Sequence, residues 1–130
     1  MVMSWRLDER PPPVSVVYDE IIGGATVLVS FETAMELRFG AINAGWGELR
    51  RRRLERALKR YAVVQPDEKE IATCAQLRAD CRKVGHALAA KDHIGDLWIA
   101  ATAVRLGVPL VSGDGIFEAV PGLRLLSANT

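Results

Sequence analysis

Asp96-Leu97-Trp98-Ile99-Ala100-Ala101-Thr102-Ala103, running on through Gly107-Val108-Pro109-Leu110-Val111-Ser112-Gly113-Asp114, decides how the rest of the chain is read. The first part has the apolar density of a buried helix, Gly107 is a stop signal, and the residues after it have the make-up of a buried strand. As a helix, residues 96–106 span about 16 Å at ~1.5 Å per residue. As a strand, residues 108–112 span about 16 Å at ~3.3 Å per residue. Matched lengths let the helix return antiparallel to the strand, bringing Asp96 beside Asp114 at the carboxyl edge of a sheet. Open α/β folds place their sites at that edge. Two carboxylates held close repel, so one takes a proton or both share a cation.

Working outward, 130 residues make one domain, 1–130, with room for a core. The 49% hydrophobic and 25% charged content is that of an ordinary globular protein, and a net charge of +1 does not by itself announce a nucleic-acid partner. No apolar run approaches the ~20 residues needed to cross a bilayer. Arg6, Asp8, Glu9 and Arg10, followed by Pro11-Pro12-Pro13, are incompatible with a signal peptide, so a cytoplasmic protein is expected. Cys74 and Cys81 fall on one helical stretch about 10 Å apart, beyond the ~7 Å reach of a disulfide, and are expected to be core thiols. With two His and no Cys–His cluster, a zinc site is not expected.

In chain order the pattern predicts a short helix over 4–10, a hinge at the three prolines, and a helix over 14–22 ended by Gly23-Gly24. A strand follows over 25–30, then a helix over 31–44 with Met35, Phe39 and Ile42 at helical spacing. Gly45-Trp46-Gly47 breaks it, and a helix over 48–60 and a short strand over 61–64 follow. Pro66 opens a helix to Val84, with Asp67, Glu68 and Glu70 at its positive end and Arg82 and Lys83 at its negative end. Residues 86–94 read as a loop, 115–119 as a turn and 123–126 as a last strand. Strands alternating with helices imply an α/β fold, a parallel sheet flanked by helices.

Glu36 lies in the second turn of the helix that follows the first predicted strand, and so points to the edge that carries Asp96 and Asp114. By position alone Glu32, one turn earlier on the same face, competes equally. Three acidic residues at one edge suit Mg²⁺ or Mn²⁺ held through oxygen ligands and waters. Asp92 reads as the helix N-cap, one turn from Asp96, with an accessory role open to it. Ser112 orients Asp114, binds phosphate, or simply ends a strand. Arg52, Arg56 and Lys59 share a helical face; they are either solvated beside Glu48 and Glu55 or contact nucleic-acid phosphates.

These motifs resemble the PIN-domain family, in particular VapC-like ribonuclease toxins of type II toxin–antitoxin systems, over nearly the whole chain. Met35-Glu36-Leu37-Arg38-Phe39-Gly40-Ala41 is similar to the family's second acidic motif, which selects Glu36 over Glu32. Gly95 to Ala103 is similar to the third. Pro109 to Asp114, with Phe117 and Val120-Pro121-Gly122-Leu123, is similar to the fourth. The resemblance implies a three-layer, Rossmann-like sheet and a metal-dependent endoribonuclease whose catalytic and metal-binding residues are Glu36, Asp96 and Asp114. It also implies an RNA substrate, a VapB-like antitoxin as partner and a homodimer.

One motif departs. Met3-Ser4-Trp5-Arg6-Leu7-Asp8 resembles the part just after the family's first acidic motif, and the Asp of that motif would fall before Met1. The expectation is a first strand missing or truncated, leaving two strand pairs flanking a gap, and a 5′-truncated reading that folds poorly and cuts little RNA. A catalytically degenerate member that keeps only antitoxin or self-binding is the alternative function. A phosphoacceptor domain is disfavoured, because Tyr61-Ala62-Val63-Val64-Gln65 ends without an Asp.

Overall fold

Two residues, Val2–Met3 (β1), form the middle strand of a parallel sheet. The computed structural model describes residues 1–3 and 27–127, and the predicted helices over 4–10 and 14–22 and the proline hinge lie outside them. The other strands are β2 (Leu28–Ser30), β3 (Ala62–Val64), β4 (Leu110–Ser112) and β5 (Leu125–Ser127), and the sheet order is β3-β2-β1-β4-β5. The expected gap is therefore filled: Val2 pairs with Leu28 on one side and Leu110 on the other, and Met3 with Val29 and Val111. The first strand is short, as anticipated, but it joins the two pairs instead of leaving them apart. Val2, β-branched and apolar, is fully buried there.

Four α-helices are described: α1 (Phe31–Asn43), α2 (Glu48–Lys59), α3 (Glu68–Lys83) and α4 (Ile94–Leu106). Ser30 ends β2 and caps α1, its Oγ accepting the Glu32 N–H at 3.2 Å. At the other end Gly45 takes the left-handed conformation (φ 70°). Its N–H reaches the Ile42 carbonyl at 3.0 Å and that of Trp46 the Ala41 carbonyl at 3.0 Å, closing the helix in a Schellman arrangement.

The predicted apolar face of α1 is a correction. Met35, Phe39 and Ile42 are exposed, and the buried side is Thr33, Ala34, Leu37 and Ala41. Ala34 and Leu37 pack against Leu58 of α2, with Leu54 and Val63 alongside, so the side of α1 that is buried is the one turned to α2 and β3. Helix α3 begins at Glu68, not at Pro66. Asp67 caps it by accepting the Glu70 N–H at 2.8 Å, and the proline stands ahead of the cap.

The main core gathers Val2, Leu77, Leu88, Leu97, Leu110 and Phe117 between the sheet and helices α3 and α4; a smaller cluster joins Ala34, Leu37 and Leu58. Cys74 and Cys81 are free, buried thiols of the main core. Burial, with the Glu70 carboxylate nearby, pushes Cys74 up to about 11, so it is an inert packing group at neutral pH. No helix among the described residues is long and apolar enough to cross a membrane.

Candidate active site

The carboxyl edge of the sheet receives its acidic residues from two helix starts and one strand end. Helix α4 begins at Ile94, two residues earlier than the spacing predicts, after single 3₁₀ turns at Ala87–Ala89 and Lys91–His93. Asp96 is thus in its first turn, at the positive end of the helix dipole. The N-cap position belongs to His93, which makes no capping bond with its side chain. Asp92, expected as the cap, is exposed on the preceding 3₁₀ turn, and the cap position falls to the next residue, His93. His93 instead sets its Nδ1 3.5 Å from Asp96 Oδ2, while the Asp96 side chain is 20% exposed.

Glu32 is the residue that joins the two helix starts. Its carboxyl hydrogen-bonds that of Glu36, one turn along α1, and feels the charges of both Glu36 and Asp96. Desolvation by burial, then Glu36, then Asp96 hold the Glu32 carboxyl above the ordinary carboxylate range. A Cβ at Gly95 would stand 2.6 Å from Glu32 Oε1, so the glycine before Asp96 is what lets the carboxyl lie against α4. Position in the sequence offered Glu32 and Glu36 as equals; the motif singled out Glu36, and the structure sets both at the edge beside Asp96. The i,i+4 spacing was the available signal for keeping both.

Asp114 follows β4 on the same edge. The register puts Ser30 and Ser112 level across β1, since Leu28 and Leu110 both pair with Val2. Two strand spacings, about 9.6 Å, separate them. Ser112, buried, accepts the Asp114 N–H at 3.1 Å, and Asp114 Oδ1 in turn accepts the Ile116 N–H at 3.1 Å, capping the 3₁₀ turn Gly115–Phe117. Ser112 therefore fixes the backbone from which Asp114 projects. Among the described residues, no three His, Cys, Asp or Glu side chains converge closely enough to form a ready metal cage. Glu32 is the link between Glu36 and Asp96, and Asp114 ends the strand that reaches the same edge.

A second charged feature lies between α1 and α2. Arg52, Arg56 and Lys59 line an open groove of about 790 Å³ together with Arg38, Glu48 and Glu55. Arg38 bonds both oxygens of Glu55, at 3.0 and 3.1 Å, and Arg52 bonds Glu48. Nearby, Met35, Phe39 and Ile42 border a smaller groove beside Val63 of the edge strand β3.

Residues 2–123 match the PIN domain. In fold the chain is similar to VapBC-1 from nontypeable Haemophilus influenzae, with a TM-score of 0.77, 21% identity and 100% of each chain covered. It is also similar to VapBC2 from Rickettsia felis bound to a DNA fragment from their promoter, with a TM-score of 0.74, 22% identity, and 89% of this chain and 86% of that one covered. For FitAcB from Neisseria gonorrhoeae the TM-score is 0.70 and the identity 22%, over 98% of each chain. No curated protein matches the chain in sequence.

Proposed function

The chain belongs to the PIN-domain family, and from that premise we propose that it is a metal-dependent endoribonuclease toxin of the cytoplasm, neutralised by a VapB-like antitoxin. The observation that carries the reading is the gathering of Glu32, Glu36 and Asp96 at the carboxyl edge, where burial and then the neighbouring charges hold the Glu32 carboxyl above its ordinary range. Its donors are all oxygens, which fits Mg²⁺ or Mn²⁺ and not a softer metal. Glu36, Asp96 and Asp114 would hold the ion. When bound, such an ion lowers the pKa of a water and offsets charge building on a phosphate.

The remaining roles belong to the chain itself. Glu36 and Asp96 present oxygens from two helix starts whose positive ends favour anionic groups. His93 constrains the Asp96 carboxylate from the side. Ser112 fixes the backbone of Asp114. Arg56 and Lys59, with Arg52, offer cations to an RNA backbone in the α1–α2 groove, and Asp92 is a peripheral accessory on its exposed turn. The exposed strip of Met35, Phe39 and Ile42 is apolar surface that a partner, the antitoxin or a second copy in a homodimer, would cover. The solved relatives named for VapBC pairs support the antitoxin as a partner.

A second reading, a degenerate member that only binds, is favoured by one observation: no three-carboxylate cage stands ready among the described residues. RNA cleavage with added Mg²⁺ or Mn²⁺, by the parent chain and by Asp96→Asn, decides between them. The catalytic reading expects cleavage by the parent and none by the variant, with melting temperature kept or raised because a repelling charge is gone. Cleavage retained by Asp96→Asn, or absent from a folded, Mn²⁺-saturated parent, would sink it.

A further inference from the structure

Among the described residues, Glu70 is the one charged side chain that is fully buried, at 0% exposure. Its two oxygens are spoken for by groups far away in the chain. Oε2 accepts from Arg105 Nη1 at 3.0 Å, and the same guanidinium reaches Asp67 Oδ2 at 2.6 Å. Oε1 accepts from Thr102 Oγ1 at 2.5 Å. Thr102 Oγ1 lies 3.2 Å from Ser30 Oγ and 3.0 Å from the Trp98 carbonyl.

The direction of these bonds follows from counting hydrogens. Thr102 has one hydroxyl proton and gives it to the carboxylate, the strongest acceptor within reach. Ser30 then donates its own proton to Thr102 Oγ1, which leaves the Ser30 lone pairs to accept the Glu32 N–H. A charge at one end of such a chain polarises every bond along it. The Glu70 carboxylate thus reaches, through two buried hydroxyls, the first turn of the helix that carries Glu32 and Glu36.

Thr102 is on α4, six residues beyond Asp96, or about 9 Å along the axis. The hydroxyl pair therefore ties α1 to α4 at a fixed point, and the cluster of carboxyl groups depends on how these two helices sit against each other. A buried ion pair adds little net stability compared with apolar residues of similar volume. We propose that Glu70, acting through Thr102 and Ser30, is a positioning residue for the acidic site, setting the separation of Glu36 and Asp96. This rests on the metal-site reading above.

The test uses the full chain and Mn²⁺ alone, with free Mn²⁺ followed by electron paramagnetic resonance and no RNA present. Thr102→Val keeps the volume and deletes the relay; Thr102→Ser keeps the hydroxyl. Loss of a partner outside the ligand shell typically costs about 10- to 100-fold in metal affinity. The expected result is a Mn²⁺ dissociation constant raised about tenfold in Thr102→Val and restored in Thr102→Ser, both measured well below their melting temperatures. A folded Thr102→Val that binds Mn²⁺ as tightly as the parent overturns the proposal and leaves the metal site standing. A parent that neither binds Mn²⁺ nor cuts RNA overturns both. If Thr102→Val does not fold, Ser30→Ala, which spares the Glu70–Arg105 pair, decides by the same two outcomes.

Discussion

Glu32 Oε1 occupies the space that the Cβ of any residue larger than glycine would need at position 95; the separation would be 2.6 Å. The contact is with the end of a flexible side chain, so a larger residue displaces the carboxyl and not the backbone. Gly95→Ala is therefore expected to fold normally, with alanine the better helix former by about 1 kcal/mol in a helix interior and less in a first turn. The displaced Glu32 should titrate closer to its ordinary value of 4.5. Carboxyl ¹³C NMR across an acid titration reads this directly; a Glu32 carboxyl that still titrates high in Gly95→Ala refutes the contact.

Glu32 also makes stability depend on pH. Its carboxyl titrates above 4.5 in the folded chain, through burial first and then Glu36 and Asp96, and near 4.5 in the unfolded chain. Between the two values the folded state binds more protons, so stability falls as pH rises through that window and stays lowered above it. Glu32→Gln cannot ionise and its amide can still donate to Glu36. Its melting temperature should exceed the parent's at neutral pH and converge with it below pH 4.5. A Glu32→Gln protein less stable than the parent at neutral pH contradicts this.

Asp114 does two separable things, and two substitutions divide them. Its Oδ1 accepts the Ile116 N–H, and its charge is the one proposed to serve the ion. Asp114→Asn keeps an acceptor and removes the charge, so the turn should survive while RNA cleavage is lost. Asp114→Ala removes both, and should cost about 1 kcal/mol further, the usual worth of a cap. Chemical denaturation paired with a cleavage assay distinguishes the two; equal stability of Asn and Ala variants would show that the cap bond contributes nothing.

The α1–α2 groove makes a salt-dependence prediction. Arg52 is engaged by Glu48, so Arg56 and Lys59 are the cations expected to carry phosphate contacts. Replacing both by Ala should lower the slope of log affinity against log salt by about 1.4, at about 0.7 per single-stranded contact. Filter binding to a catalytically silent Asp96→Asn background measures it. An unchanged slope removes the groove from the RNA interface.

The sequence was most legible where one residue type settles a local question. Gly45-Trp46-Gly47 marked the break between α1 and α2, Ala62–Val64 and Leu110–Ser112 read as strands, and the helix–turn–strand unit ending at Asp114 set the topology. It was misleading where spacing had to stand in for depth. Met35, Phe39 and Ile42 repeat like a buried stripe, yet α1 buries Ala34 and Leu37 against Leu58 of α2 instead. It was silent where partners are far apart in the chain. Glu70 looks like an ordinary acid in a helix's first turn; its burial against Arg105, 35 residues away, is decided by tertiary packing alone.

The two-residue β1 has a consequence for how the domain opens. Among the described residues, ladders of three residue pairs lie on either side of it, β2 with β3 and β4 with β5, whereas each side of β1 contributes two. The sheet is thus two halves stitched along a narrow seam, with the Glu36 helix leaving one half and Asp114 the other. What spans the seam in bulk is α4, which packs on β2 and α1 and then feeds β4. Sub-global opening should therefore run along β1, and the amides of Val2 and Leu28, which bond across the seam to the Pro109 and Met1 carbonyls, should exchange hydrogen sooner than those inside α4. Asp96, at the head of the spanning helix, would stay with its core while Glu36 and Asp114 part, so the acidic edge comes undone before the hydrophobic centre does.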